Sequence, residues 1–355
     1  MSPWYRRPAA RVILAVLLSS IGITVLGGGI LALMEGAAQT GRRLIELSPG
    51  WLALSLGVWM TSLGVQGLRW RALLPVRSRP PAAMLAWVVF GANALSLALP
   101  GPVGEFAAAW YLRHRYGVPM VTALAAALLA RALAVLMFGL STLVLWPIVA
   151  TSLPDDVVVL VTPIALLTGL VSLPMAALCY RPAGMVRWSG VLLTRVLPAR
   201  IAARVAGRVD WWVRCFAAVG EISPGRWAQA AALCLVNLLV LSVSTMFSLS
   251  AAGVPSDPLG VVFMQALTAV ASVAGVLVPG GFGAVEVLVV ALFPTFAVGD
   301  TADAVFVAFA LRWVHMLTLL LGVPAMLWLI ATLPAEPEQL APLFAESLRG
   351  ELEGG

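Results

Sequence analysis

The sequence contains no lysine: its 22 basic residues are all arginine. A Walker-type phosphate loop needs a lysine to reach the terminal phosphates, so ATP hydrolysis at such a loop is set aside. Charge of either sign is scarce. Charged residues make up 11% of the 355, against about 25% in an ordinary soluble domain, while 61% are hydrophobic. That balance points to a bilayer rather than to water. The three cysteines, Cys179, Cys215 and Cys234, are scattered, and two lie in or beside apolar runs. They show no metal-ligand spacing and argue against a disulfide framework. The net charge of +6 does not imply nucleic acid, because the arginines gather at the ends of apolar runs. That is the pattern of membrane topology.

Long apolar runs are what the chain does have. Strong candidate spans cover 11–34, 51–68, 119–148, 156–179, 227–252 and 303–332; about 20 helical residues cross a bilayer. The first follows Arg6, Arg7 and Arg11, is longer than a signal-peptide core and has no convincing cleavage site after it, so it reads as an uncleaved span. Two further stretches, 82–99 and 258–278, end at Pro-Gly breaks and are followed by short helical stretches over 104–116 and 283–297. A basic segment, 181–226, divides the halves, and the tail 334–355 is polar.

The arginines orient these runs. With the N-terminus in the cytoplasm, the second span returns to Arg69, Arg71, Arg77 and Arg79. If 82–116 enters and leaves on the cytoplasmic side as a re-entrant hairpin, Arg113 and Arg115 are inside too. The next span exits at Asp155 and Asp156, and its successor returns to 181–226. Span 227–252 exits again, and a second hairpin, 258–297, opens from outside, beside Asp257, Asp300 and Asp303. The last span brings the C-terminus into the cytoplasm. Only Arg42 and Arg43 then fall outside.

The halves repeat. Glu46-Leu-Ser-Pro-Gly-Trp51 matches Glu221-Ile-Ser-Pro-Gly-Arg-Trp227, and Pro100-Gly-Pro-Val-Gly-Glu105 matches Pro279-Gly-Gly-Phe-Gly-Ala-Val-Glu286, at offsets of 175 and 179. Each unit has three full crossings and one hairpin. The odd number inverts the second copy, and inverted repeats with broken helices are a transporter signature. The expected fold is therefore all-α and polytopic, with two inverted repeats, each of three spans and one re-entrant helical hairpin. The first repeat is 1–180, with its hairpin at 82–116. The basic segment 181–226 is cytoplasmic and amphipathic. The second repeat takes 156–179 as its first span and continues through 227–333, with its hairpin at 258–297. Residues 334–355 are a cytoplasmic tail.

Each repeat places a Glu 26 residues before an Arg: Glu105 and Arg131, Glu286 and Arg312. The midpoints fall in the turns at Val118 and Gly299. Two antiparallel helices joined there bring each Glu level with its Arg, about 15–20 Å deep at 1.5 Å per residue. An unpaired ion at that depth is costly, and a two-pronged Arg–carboxylate contact would neutralise it. The breaks at Pro100 and Pro279 start half-helices whose free N–H groups, near Gly101, Gly104, Gly280 and Gly283, favour anions. A phosphate site at the breaks is one reading; a structural lock at the pairs and plain kinking at the prolines is the other. Asn93 either lines the path or bonds broken backbone. His315 lies one turn after Arg312 and is either a proton carrier or a core residue; its repeat counterpart is Ala134. Arg200, Arg204 and Arg208 recur every four residues beside Trp211 and Trp212, as on a helix lying on the anionic leaflet, or as simple positive-inside bias.

The order Asn93…Leu99-Pro100-Gly101…Gly104-Glu105, an intramembrane Arg131, then Val278-Pro279-Gly280-Gly281-Phe282-Gly283…Glu286 resembles the lysylphosphatidylglycerol synthase transmembrane-region family. The resemblance covers about 11–332 and is specific only in combination. It implies a flippase-like membrane domain moving lipids between leaflets of the bacterial inner membrane. Some members carry a soluble aminoacyl-transferase domain; residues 333–355 are too few for one, so translocation without aminoacyl transfer is expected. The partners implied are membrane lipids, whether anionic phospholipid, hopanoid or glycolipid, and a lipid-modifying enzyme; no nucleic acid, cofactor, metal or catalytic residue is expected. The alternatives are a membrane-embedded transferase on a lipid-linked substrate, or an accessory scaffold of a lipid-modifying system.

Overall fold

The computed structural model describes residues 46–75, 79–98, 103–196, 222–274 and 320–329, with positions 209, 213, 216, 217 and 331. The expected first span 11–34, the stretch 283–297, much of 181–226, most of 303–332 and the tail 334–355 lie outside them. Among the described residues the regular structure is helical. In chain order it comprises α1 (Pro49–Leu73), α2 (Ala82–Ala98), α3 (Val103–Tyr116), α4 (Met120–Ala150), α5 (Asp155–Tyr180), α6 (Pro182–Val196), α7 (Pro224–Ala251) and α8 (Pro258–Ala274). A further helical stretch, α9, is Leu320–Leu329.

Among the described residues four helices are long and apolar enough to cross a membrane: Pro49–Leu73, Met120–Ala150, Val157–Tyr180 and Pro224–Ala251. They coincide with four of the expected spans. The repeated Ser-Pro-Gly triplet has a local reason. In both α1 and α7 the Ser is the N-cap in extended conformation and the Pro opens the first turn, where its missing N–H is not needed. Inside these helices Ser and Thr turn their hydroxyls back onto carbonyls about one turn earlier, as in Thr142 to Phe138, Thr162 to Val158 and Ser242 to Leu238. That satisfies a polar group without water.

α1 and α7 run antiparallel along their whole length. At one end the Ser48 N–H donates to the Ala251 carbonyl at 3.1 Å. Trp51 faces Phe247 at a ring separation of 5.5 Å. The Ser55 hydroxyl meets the hydroxyls of Ser244 and Ser248 at 3.1 and 2.7 Å, and Ser244 donates to the Ser55 carbonyl at 2.9 Å. At the other end Arg226 crosses to the last carbonyls of α1, donating Nε to Ala72 O at 2.8 Å and Nη2 to Leu74 O. Ser48, Ser55, Ser62 and Arg69 recur every seven residues, and Ala230, Asn237, Ser244 and Ala251 do the same on α7. A seven-residue stripe of small and polar side chains is how two helices approach closely where lipid offers no hydrophobic drive.

α2 doubles back from α1. Gly67 lies so close to α2 that a Cβ there would stand 2.8 Å from Ala86 N. α3 returns antiparallel to α2, with the Tyr111 hydroxyl on Met84 Sδ at 3.7 Å. The turn Gly117–Pro119, with Gly117 at φ +65°, then reverses the chain into α4. The ends of α1 and α3 and the starts of α2, α4 and α7 share one end of the bundle. α8 instead starts at the end where α7 finishes, its Phe263 ring 5.6 Å from that of Trp146 near the far end of α4. One detail differs from expectation. α1 continues past 68, so Arg69 is a helix residue in its last turns, only 6% exposed, rather than a loop arginine.

Candidate functional site

The site grows from the α2–α3–α4 hairpins. α3 begins within the bundle, and Glu105 falls in its first turn. α4 starts beyond the Gly117 turn and carries Arg131 back to the level of Glu105. There Arg131 Nη2 meets Glu105 Oε1 at 2.8 Å. The contact is single rather than two-pronged, because the second carboxylate oxygen, Oε2, accepts from the Ser96 hydroxyl of α2 at 3.0 Å. Both Glu105 oxygens are thus engaged, one by a cation and one by a neutral donor.

Burial of the pair is unequal. The Glu105 side chain is 6% exposed and that of Arg131 38%. The carboxylate is fixed from two sides, whereas the guanidinium uses one of its donors on Glu105 and finds no other acceptor among the described residues. A guanidinium has five N–H donors in a planar fork, so this one retains the means to bind a second anion.

Gly104 is where α3 touches α2. A Cβ there would run into the Ala92 carbonyl oxygen and come 2.5 Å from Ser96 Oγ. The glycine permits the approach that lets Ser96 reach Glu105. On the same face of α2, one turn before Ser96, Asn93 donates from Nδ2 to Gln66 Oε1 of α1 at 3.1 Å. Among the described residues Asn93 thus bonds a side chain of α1; the break itself, 99–102, lies outside them. Gln66, Asn93, Ser96, Glu105 and Arg131 form a polar strip across four helices that are otherwise packed through Ala, Leu and Val.

Of the residues singled out in the sequence, the structure brings together Asn93, Gly104, Glu105 and Arg131. Pro100, Gly101, Pro279, Gly280, Gly283, Glu286, Arg312, His315, Arg200, Arg204 and Arg208 lie outside the described residues. Ser96 and Gln66 were not anticipated. A signal existed for Ser96, which stands one turn after Asn93 and is with it the only hydroxyl or amide side chain in 82–98; Gln66 had none. Among the described residues no three of His, Cys, Asp and Glu come together as a metal site would require.

Comparison with known proteins adds one positive finding. The family model described as "Lysylphosphatidylglycerol synthase TM region" matches residues 12–322. No curated protein and no solved structure matches the chain.

Proposed function

Since this chain belongs to the lysylphosphatidylglycerol synthase TM region family, we propose that it moves an anionic lipid between the leaflets of the bacterial inner membrane. The observation that carries the reading is the half-open ion pair. A buried carboxylate holds an arginine whose remaining donors are free for a phosphate, in the interior of a bundle with four membrane-length helices. The empty site stays neutral, and Arg131 exchanges Glu105 for the headgroup during passage. The Ser96 hydroxyl keeps Glu105 in place meanwhile.

We read α2–α3 as a re-entrant hairpin. At 1.5 Å per residue its 17 and 14 residues reach about 25 and 21 Å, short of a hydrocarbon core of about 30 Å. Both outer ends lie on one side of the bundle. We read the halves as inverted repeats. The helices that open with the shared Ser-Pro-Gly triplet, α1 and α7, are antiparallel neighbours, and each is followed by a 17-residue apolar helix entering from its own end. The N- and C-termini are cytoplasmic in this reading, and so is α6, which lies on the membrane surface with Trp188, Val191 and Leu192 exposed. In this reading a separate lipid-modifying enzyme supplies or consumes the lipid.

The test is leaflet exchange in liposomes, with fluorescent phosphatidylglycerol scored by quencher accessibility. The neutral double variant Glu105→Gln/Arg131→Gln keeps hydrogen-bonding capacity and loses the phosphate-binding charge. It is expected to exchange lipid at least about 10-fold more slowly, the loss of roughly one charged hydrogen bond. A well-folded double variant exchanging at the wild-type rate reduces the pair to a structural lock.

A further inference from the structure

Arg69 presents a different problem from Arg131. It is 6% exposed, near the end of α1, and its Nη1 donates only to the Cys234 thiol at 3.5 Å. Its Nε is buried and has no hydrogen-bond partner among the described residues. A thiol is a weak acceptor, so a permanently charged group is nearly bare.

No carboxylate among the described residues can neutralise it. Glu46, Asp155, Asp156 and Asp257 stand at the opposite end of the bundle, and Glu105 is occupied by Arg131 and Ser96. The carbonyls at the α1 terminus are no help either. Arg226 takes those of Ala72 and Leu74, and Arg79 also donates to Leu74 O at 3.3 Å. Three arginines thus converge on one helix end, and two of them consume the backbone acceptors. Removing an ion from water costs several kcal/mol even after relaxation.

We propose that Arg69 anchors a second anion site, at the end of the bundle where α1 finishes and α7 begins, that takes the phosphate of a membrane phospholipid. The depth suits that ligand. Arg69 lies four residues before the end of α1, about 6 Å below it, where the hydrocarbon core meets a headgroup layer several ångströms thick. Arg226 and Arg79, both donating to carbonyls at the end of α1, add positive potential at that end of the bundle. The site goes beyond lipid transport at Arg131: a resident phospholipid seated there needs no leaflet exchange at all.

The experiment is thermal unfolding of the full chain in neutral detergent, titrated with dihexanoyl-phosphatidylglycerol, with dihexanoylglycerol, which lacks the phosphate, or with inorganic phosphate. Wild type is expected to gain stability with the phospholipid and not with dihexanoylglycerol. Arg69→Met, which removes the uncompensated charge and keeps the volume, starts at or above the lipid-free wild-type midpoint. Its apparent lipid affinity falls about 10-fold or more. Arg69→Lys, charged but without the planar fork, responds in between. Cys234→Ala responds as wild type. So does Glu105→Gln/Arg131→Gln, which separates this site from the transport reading. Inorganic phosphate matching the phospholipid would overturn the lipid assignment in favour of a soluble anion. An Arg69→Met variant that is less stable without lipid yet keeps the full lipid response would overturn the site.

Discussion

At the residue scale, the Glu105–Arg131 contact makes a sharp energetic statement. Removing one member of a buried pair leaves the other uncompensated and typically costs about 3–5 kcal/mol, whereas removing both costs less. Here the asymmetry of exposure decides which single change is worse. Arg131→Ala strands a carboxylate that is almost fully buried; Glu105→Ala strands a guanidinium already partly open. The expected order of stability in detergent is therefore wild type, then the double variant, then Glu105→Ala, then Arg131→Ala. Ser96 limits the loss in Arg131→Ala by holding one oxygen, so the cost falls below the fully buried range. Additive losses across this cycle, read from melting midpoints, would mean that the two side chains do not share one interaction.

At the scale of elements, the α2–α3 hairpin predicts which water each loop meets. In a background with Cys179, Cys215 and Cys234 changed to Ser, a cysteine at His114, exposed at the end of α3, should react with impermeant maleimide only from the cytoplasm. One at Thr151, exposed after α4, should react only from outside. Labelling of the 114 site from outside would place the end of the bundle where α1 and α3 finish on the outer side and overturn the proposed orientation. Much of this level was legible in the sequence. Four spans followed from apolar runs, and the shared level of Glu105 and Arg131 from equal distances to a turn that does centre on Gly117 and Val118; the Ser-Pro-Gly triplets read as a repeat and not as helix starts. Other features were not. Gly104 read as a donor near a helix break, yet its visible role is to let two backbones touch, and close approach leaves no mark in sequence. Arg69 read as one more boundary arginine. Its place in the stripe of Ser48, Ser55 and Ser62 became meaningful only with α7 packed against that face.

For the whole molecule, the α1–α7 pair raises the question of what stays still if the hairpins move. Ser48 lies opposite Ala251 and Ser55 opposite Ser244. In the same register Ser62 falls opposite Asn237, the residue 175 positions later, which is the offset of the Ser-Pro-Gly repeat. In the proposed inverted-repeat reading the two helices cross at equivalent residues, as a pseudo-two-fold axis in the membrane plane would require. Ser62 Oγ and Asn237 Oδ1 are also buried without hydrogen-bond partners among the described residues. Hydroxyl contacts join the helices near one end, and Arg226 clamps the other. Such cross-helix bonds contribute about 0.6–2 kcal/mol each in a membrane, and this pair carries more of them than any other among the described residues. It should act as a fixed axis about which the α2–α3 hairpin moves. A disulfide tests this directly, since the Oγ atoms of Ser55 and Ser244 stand 3.1 Å apart and a disulfide needs Cβ atoms about 3.8 Å apart. Ser55→Cys/Ser244→Cys, in the cysteine-free background, should cross-link on mild oxidation and exchange lipid at the same rate before and after reduction. If oxidation stops exchange and reductant restores it, the motion passes through α1 and α7 themselves, and the half-molecules rather than the hairpin are the moving parts.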